Sequence, residues 1–173
     1  MDQEIYHHIR KESVVNFVIN TVINGIIAWF ILRSKGVLMI WGGEHNFGED
    51  IAITAFLLLL IISLIVISIN KMNVRKGKVP SLDWNQGLFL HRVLSKIPQN
   101  TFLSSLVFGL FGLVVVVPLT LFPLYALGIT QMSPFAYSIF KGVWAGVLAG
   151  VMIWPIILYA LGNSDQQPAT SNQ

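Results

Sequence analysis

The sequence contains no cysteine, which excludes disulfides, thiolate-bound zinc or iron–sulfur centres and a thiol nucleophile. Charge is nearly as scarce. Only 11% of residues are Asp, Glu, Lys or Arg, against about a quarter in a soluble domain. With 54% hydrophobic residues and a mean hydropathy of +0.69, the chain cannot cover itself with polar surface, and it is too apolar to remain disordered. Its 173 residues suit one compact unit, so 1–173 is expected to form a single membrane domain. Acids are missing between Ser13 and Gly43, from Ile51 through the rest of the second apolar run, and from both later runs. Proton-coupled transporters rely on an embedded acid or histidine, and Glu12, at the edge of the first run, is the nearest candidate. His7, His8, His45 and His91 all lie outside the apolar runs, which speaks against a haem held between helices. No Gly-x-Ser-x-Gly, His-Glu-x-x-His or Walker loop occurs, so no catalytic residue and no cofactor is expected.

What the sequence does contain is four long apolar runs: Val14–Leu32, Ile51–Ile69, Phe102–Phe122 (continuing toward Leu127) and Tyr137–Leu161. Each suffices to cross a hydrocarbon core about 30 Å thick at about 1.5 Å per residue. Pro118, Pro123 and Pro155 interrupt the last two, which membrane helices tolerate where neighbours satisfy the freed carbonyls. The pattern predicts an all-α integral membrane protein whose four transmembrane helices form two consecutive helical hairpins, at about 13–70 and 101–161. A basic middle loop (71–100) joins them, and a polar tail (162–173) is predicted to be disordered. Similar openings, His8-Ile-Arg10-Lys11 and His91-Arg92 with Lys96, fit either a parallel duplication or shared membrane statistics.

Orientation follows from the basic residues. Six stand in the middle loop (Lys71, Arg75, Lys76, Lys78, Arg92, Lys96) and two at the start (Arg10, Lys11), against Arg33 and Lys35 on the other side. This bias places both termini in the cytoplasm and the chain in the cell inner (plasma) membrane. The first run reads as a retained signal anchor, since it is long enough to span and no small-residue cleavage site follows it. Arg75, Lys76, Lys78, Arg92 and Lys96 are candidate contacts for anionic lipid head groups, which fit this surface placement better than nucleic acid. Between them, Asn85–Ile97 predicts a short interfacial amphipathic helix. Leu88, Phe89, Val93, Leu94 and Ile97 would share one side, Gln86, His91, Arg92, Ser95 and Lys96 the other, with Trp84 as an anchor. The alternative is an inner extension of the third helix, bent near Pro98.

Glu12, Asn16, Asn20 and Asn24 recur every four residues and so form one polar stripe on the first helix. Side-chain amides are costly to leave unpaired in hydrocarbon, so the stripe is expected to face the bundle interior, either as interhelical glue or as a pathway or ligand-binding face. Gly142, Gly146 and Gly150 make a small-residue stripe on the fourth helix, and Ser105, Gly109 and Gly112 a shorter one on the third. Both predict tight packing, of the third helix on the fourth or of one protomer on another, with a glycine-lined channel as the alternative.

Lys141, one turn into the fourth helix, either snorkels to the head groups or pairs with Glu44, Glu49, Asp50 or an anionic ligand. Tyr137 precedes it by four residues, a spacing shared with short-chain dehydrogenases whose Gly-rich nucleotide loop is absent here. In the loop Trp41–Asp50, Asn46 is placed to cap the second helix, Glu49 holds the capping-box position and Asp50 favours the helix dipole. The loop's three acids, Glu44, Glu49 and Asp50, with His45 could ligate zinc or manganese, but helix capping is the better account and no metal is assigned.

The paired-hairpin layout resembles small bacterial inner-membrane proteins, four-helix drug exporters among them, though their embedded acid has no counterpart in these runs. The leading expectation is a transport-related protein or the membrane subunit of a larger assembly. A homo-oligomer or other membrane subunits would then supply walls that a four-helix bundle lacks. The alternatives are a membrane enzyme or redox anchor holding a quinone near Lys141 and Trp144, and a structural, lipid-organising protein.

Overall fold

The computed structural model describes residues 3–43, 46–85 and 87–162. In chain order it contains α1 (Gln3–Leu32), β1 (Leu38–Met39), α2 (Phe47–Arg75), α3 (Phe89–Leu94), α4 (Thr101–Phe111), a π turn (Gly112–Val116), α5 (Val117–Ala126), β2 (Gln131–Met132) and α6 (Pro134–Gly162). Four spans are long and apolar enough to cross a membrane: α1, α2, α4 through α5, and α6. The chain is a helical, multi-pass membrane protein. The tail expected to be disordered lies outside the described residues beyond Gly162.

Local chemistry sets the helix ends. Asn46 caps α2 by accepting the Glu49 N–H at 2.9 Å, and Asn100 caps α4 by accepting from the Phe102 and Leu103 N–H groups. At the far ends of α2 and α5, Gly77 and Gly128 take φ of 64° and 76°. Each closes a paired C-terminal turn: Gly77 N–H to Val74 O with Lys78 N–H to Asn73 O, and Gly128 N–H to Tyr125 O with Ile129 N–H to Leu124 O. The third span does not run as one regular helix. Pro118 has no N–H to give Val114, and just before it the ladder widens, Val117 N–H reaching Gly112 O.

α6 is the most enclosed span and α1 the least. The helices that pack face to face are α1 on α6, α2 on α6 and α2 on α4. The two hairpins expected from chain order are therefore not packing pairs. Near its start α1 also meets α2, where His8 Nε2 lies 2.8 Å from Asn70 Oδ1. α6 reaches the third span through side chains, Trp144 Nε1 donating to Thr120 Oγ1 at 2.9 Å and the Tyr159 ring meeting Phe108 edge-on. The small-residue stripes explain this order. Gly142, Gly146 and Gly150 admit Ser13, Phe17, Thr21 and Gly25 of α1 against the α6 backbone, whereas Gly109 and Gly112 admit Ala55 and Phe56 of α2. Ser105 is buried and donates to Thr101 O of its own helix. Of the expected close packings, of the third helix on the fourth or of one protomer on another, neither describes these glycines within the chain, whose neighbours are α2 and α1.

The two ends of the bundle differ. At one, which carries most of the basic residues, α1 begins, α2 ends, α4 begins and α6 ends. There Tyr159 Oη donates to Pro98 O at 2.5 Å, and Leu82 N–H donates to Leu161 O. At the other end β1 and β2 pair antiparallel, Leu38 opposite Met132 and Met39 opposite Gln131, tying the first connection to the last. That short sheet has no counterpart in the helical expectation, which treated both connections as loops.

Between α2 and α4 the described residues are α-helical over Phe89–Leu94, rather than Asn85–Ile97, and α2 takes Lys71–Arg75 of the expected loop. Leu88, Phe89, Leu90 and Val93 are exposed, whereas Leu94 and His91 are buried. His91 was expected on the polar side. Its Nδ1 instead accepts the Asn85 N–H at 3.1 Å and its ring meets Trp84 edge-on, so the imidazole is satisfied inside the fold. Gln86 lies outside the described residues. Arg75, Lys76, Lys78, Arg92 and Lys96 are all exposed.

A Cβ on Gly146 would fall on Thr21 Oγ1 and crowd the Phe17 carbonyl, whereas one on Gly36 meets nothing within 4 Å. Gly146→Val is therefore expected to detach α1 from α6 and lower stability by about 1–3 kcal/mol. Gly36→Ala should be neutral. Unfolding of the purified protein in mixed micelles checks both.

Candidate functional site

The polar stripe of α1 sits at the edge of the α1–α6 seam. Asn16, Asn20 and Asn24 each stand one residue before and three residues after positions that touch α6 (Ser13, Phe17, Thr21, Gly25), so they border that seam rather than oppose it. They and Glu12 are half-buried. Their amide groups bond their own helix, Asn16 Nδ2 to Glu12 O at 2.9 Å, Asn20 to Asn16 O at 2.9 Å and Asn24 to Asn20 O at 3.0 Å. The stripe expected to face the interior is half-buried beside the seam, and its amide hydrogens bond within the helix. Ser13 Oγ and Thr21 Oγ1, which do lie in the seam, are the polar side-chain atoms buried there without a hydrogen-bond partner among the described residues.

The strongest polar constellation lies at the strand end. Asp50, in the first turn of α2, receives Lys141 Nζ on both carboxylate oxygens, at 2.7 and 2.6 Å, and Tyr137 Oη on Oδ2 at 2.5 Å. Tyr137 and Lys141 stand one turn apart on the same face of α6, so both reach the one acid. Of the alternatives for Lys141, the structure selects Asp50. Its side chain is only 9% exposed, so it does not snorkel to the surface. Glu44 lies outside the described residues, as does His45, and Glu49 is exposed.

Burying a lone ammonium is expensive, and pairing with good geometry removes most of that cost. Asp50 remains 37% exposed and opens on a cavity of about 280 Å³ lined by Leu38, Asn46, Phe47, Glu49, Asp50 and Tyr137. This arrangement locks α2 to α6 and leaves one carboxylate edge reachable from the strand end. An incoming cation would compete with Lys141 for Asp50, whereas an anion would have to displace Asp50 from Lys141. Among the described residues no group of three or more His, Asp or Glu side chains is placed to hold a metal.

From the sequence alone Asp50 serves the helix dipole and is one of three acids offered to Lys141, and the Tyr137–Lys141 spacing carries no assigned role. The signal that could have joined them is simple: an embedded lysine needs a counter-ion, and Asp50 lies further into the apolar helix than Glu49, the other acid of its first turn.

No family model matches the chain, and no curated protein or solved structure matches it.

Asp50→Asn and Lys141→Met are each expected to destabilise the fold by about 1–3 kcal/mol, less than the ~3–5 kcal/mol of a fully buried pair because Asp50 is partly solvated. The double variant should lose less than the sum. A double-mutant cycle of unfolding in mixed micelles measures this, and strict additivity would show that the pair carries no coupling.

Proposed function

We propose that the chain is a membrane subunit that works as an assembly with a second copy of itself, joined along the asparagine flank of α1. The observation that carries this reading is the state of Asn16, Asn20 and Asn24. On an otherwise apolar spanning helix their amide hydrogens go to carbonyls of their own turn, and among the described residues no other helix supplies a donor to their oxygens. An amide oxygen left bare in hydrocarbon is costly. A second α1 related by two-fold symmetry offers the same stripe in return, which is the self-complementarity a symmetric dimer needs. The flank is open: Ile23 and Ile27, one turn beyond Asn20 and Asn24, are each 48% exposed.

In this reading the basic end faces the cytoplasm of a cell inner membrane, in keeping with the bias of Lys and Arg residues. The exposed Leu88, Phe89, Leu90 and Val93 enter the inner interface beside Arg92 and Lys96, which meet anionic head groups. A transport role has one specific observation in its favour. Asp50 supplies an acid at the end of a span, paired with Lys141 and reachable through the cavity at the strand end.

Because the chain has no cysteine, single-cysteine cross-linking is unambiguous. Mild oxidation of native membranes is expected to give disulfide dimers from Asn20→Cys or Asn24→Cys, and none from Ile53→Cys, a 59% exposed position on α2. Asn20→Leu with Asn24→Leu should lower the dimer fraction by about tenfold, at about 0.6–2 kcal/mol per interhelical contact. A chain that stays monomeric in native membranes, with no cross-link at position 16, 20 or 24, would overturn the proposal.

A further inference from the structure

At the basic end a second polar cavity, of about 580 Å³, opens between the last turns of α2 and the start of α4. Ser68, Lys71 and Arg75 line it from α2, and Gln99, Asn100 and Thr101 from the other side. Lys71 and Arg75 are four residues apart on one helix, so their like charges share a face. The lining contains no carboxylate. Lys71 is held in place: its Nζ donates to Gln99 O at 3.0 Å and stands 5.8 Å from the centre of the Tyr159 ring. One of its three hydrogens is thus committed to the protein, and the others remain for a ligand.

Two like charges on the wall of one cavity repel each other and gain from an anion placed between them. The side chain of Asn100 already occupies the Phe102 and Leu103 N–H groups, so α4 adds the field of its positive end rather than those donors. Ser68 Oγ donates to Leu64 O and keeps its lone pairs, which leaves the basic pair as the principal anion-binding groups. The place matters as much as the charge. The cavity lies where α2 leaves the apolar run and the basic connector begins, at the depth of phospholipid phosphates.

We infer that this cavity binds a phosphate group through Lys71 and Arg75. Two sources offer that chemistry, the head group of an anionic phospholipid in the adjoining leaflet and a soluble phosphate. The site is independent of the α1 dimer and of the Asp50–Lys141 pair.

The test uses the full chain in nanodiscs. Native mass spectrometry would count lipids retained from mixtures of phosphatidylcholine and phosphatidylglycerol. Thermal unfolding in phosphatidylcholine alone would be followed with inorganic phosphate against chloride at matched ionic strength. The wild type is expected to retain phosphatidylglycerol, or to be protected by phosphate, and the two arms tell the lipid from the soluble source. Lys71→Gln with Arg75→Gln should weaken the effect about thirty-fold, two basic residues each acting as one does near a membrane surface. Lys76→Gln with Lys78→Gln, outside the cavity, should change it less than threefold, within about 0.6 kcal/mol. If the first double variant fails to fold, Arg75→Gln alone decides, because it leaves the bond from Lys71 to Gln99 intact. Equal loss in the two pairs of variants, or no preference for phosphatidylglycerol and no protection by phosphate in the wild type, would overturn the inference.

Discussion

Three carbonyls of α1, on Ser13, Phe17 and Thr21, lie against the glycine face of α6, and the closeness of that approach organises the rest of the bundle. Lipid tails are as apolar as leucine, so water does not press these two helices together. What holds them is dispersion between surfaces that fit, at a separation that a side chain on α6 would prevent. The consequence is geometric. With its glycine face given to α1, α6 turns Tyr137, Lys141, Leu148 and Met152 away from that seam, and α2 occupies the remaining flank. α6 becomes the shared wall, and the third span joins through α2.

Polar chemistry is concentrated at the two ends, where a charge or hydrogen bond can be partly solvated. At the strand end one carboxylate satisfies a lysine and a tyrosine, and a two-stranded ladder bridges the connections. At the basic end, bonds from Tyr159 to Pro98, Lys71 to Gln99 and His8 to Asn70 join segments distant in sequence. Between the ends, some hydroxyls turn back on their own helices. Ser63 donates to Leu59 O and Thr120 to Val116 O, the ordinary way for a hydroxyl to live in hydrocarbon. Asn16, Asn20 and Asn24 follow the same habit with their amide hydrogens.

Periodicity and composition made the spans legible. The number of helices, their approximate limits, the Asn46 cap and the close packing at Gly142, Gly146, Gly109 and Gly112 all follow from side-chain volume, hydropathy and local hydrogen bonding. Identity of partners did not follow. A stripe of glycine says that a backbone comes near and is silent about which, because any helix can approach a surface without side chains. In the same way Asn20 could be placed on a stripe but not assigned to a seam, since a single residue's offset separates lining from flank.

The sequence by itself determined that lipid is the solvent, that four helices cross it and that charge gathers at one end, because these are sums over many residues that no single contact can reverse. Only the tertiary structure decided that Lys141 belongs to Asp50 rather than to Glu49 or the head groups. Only there, too, did His91 turn inward and Lys71 and Arg75 come to share a cavity with the start of α4. Each of those outcomes depends on the position of a few atoms brought together from distant parts of the chain, and such positions are set by how α1, α2 and α6 divide the available surface.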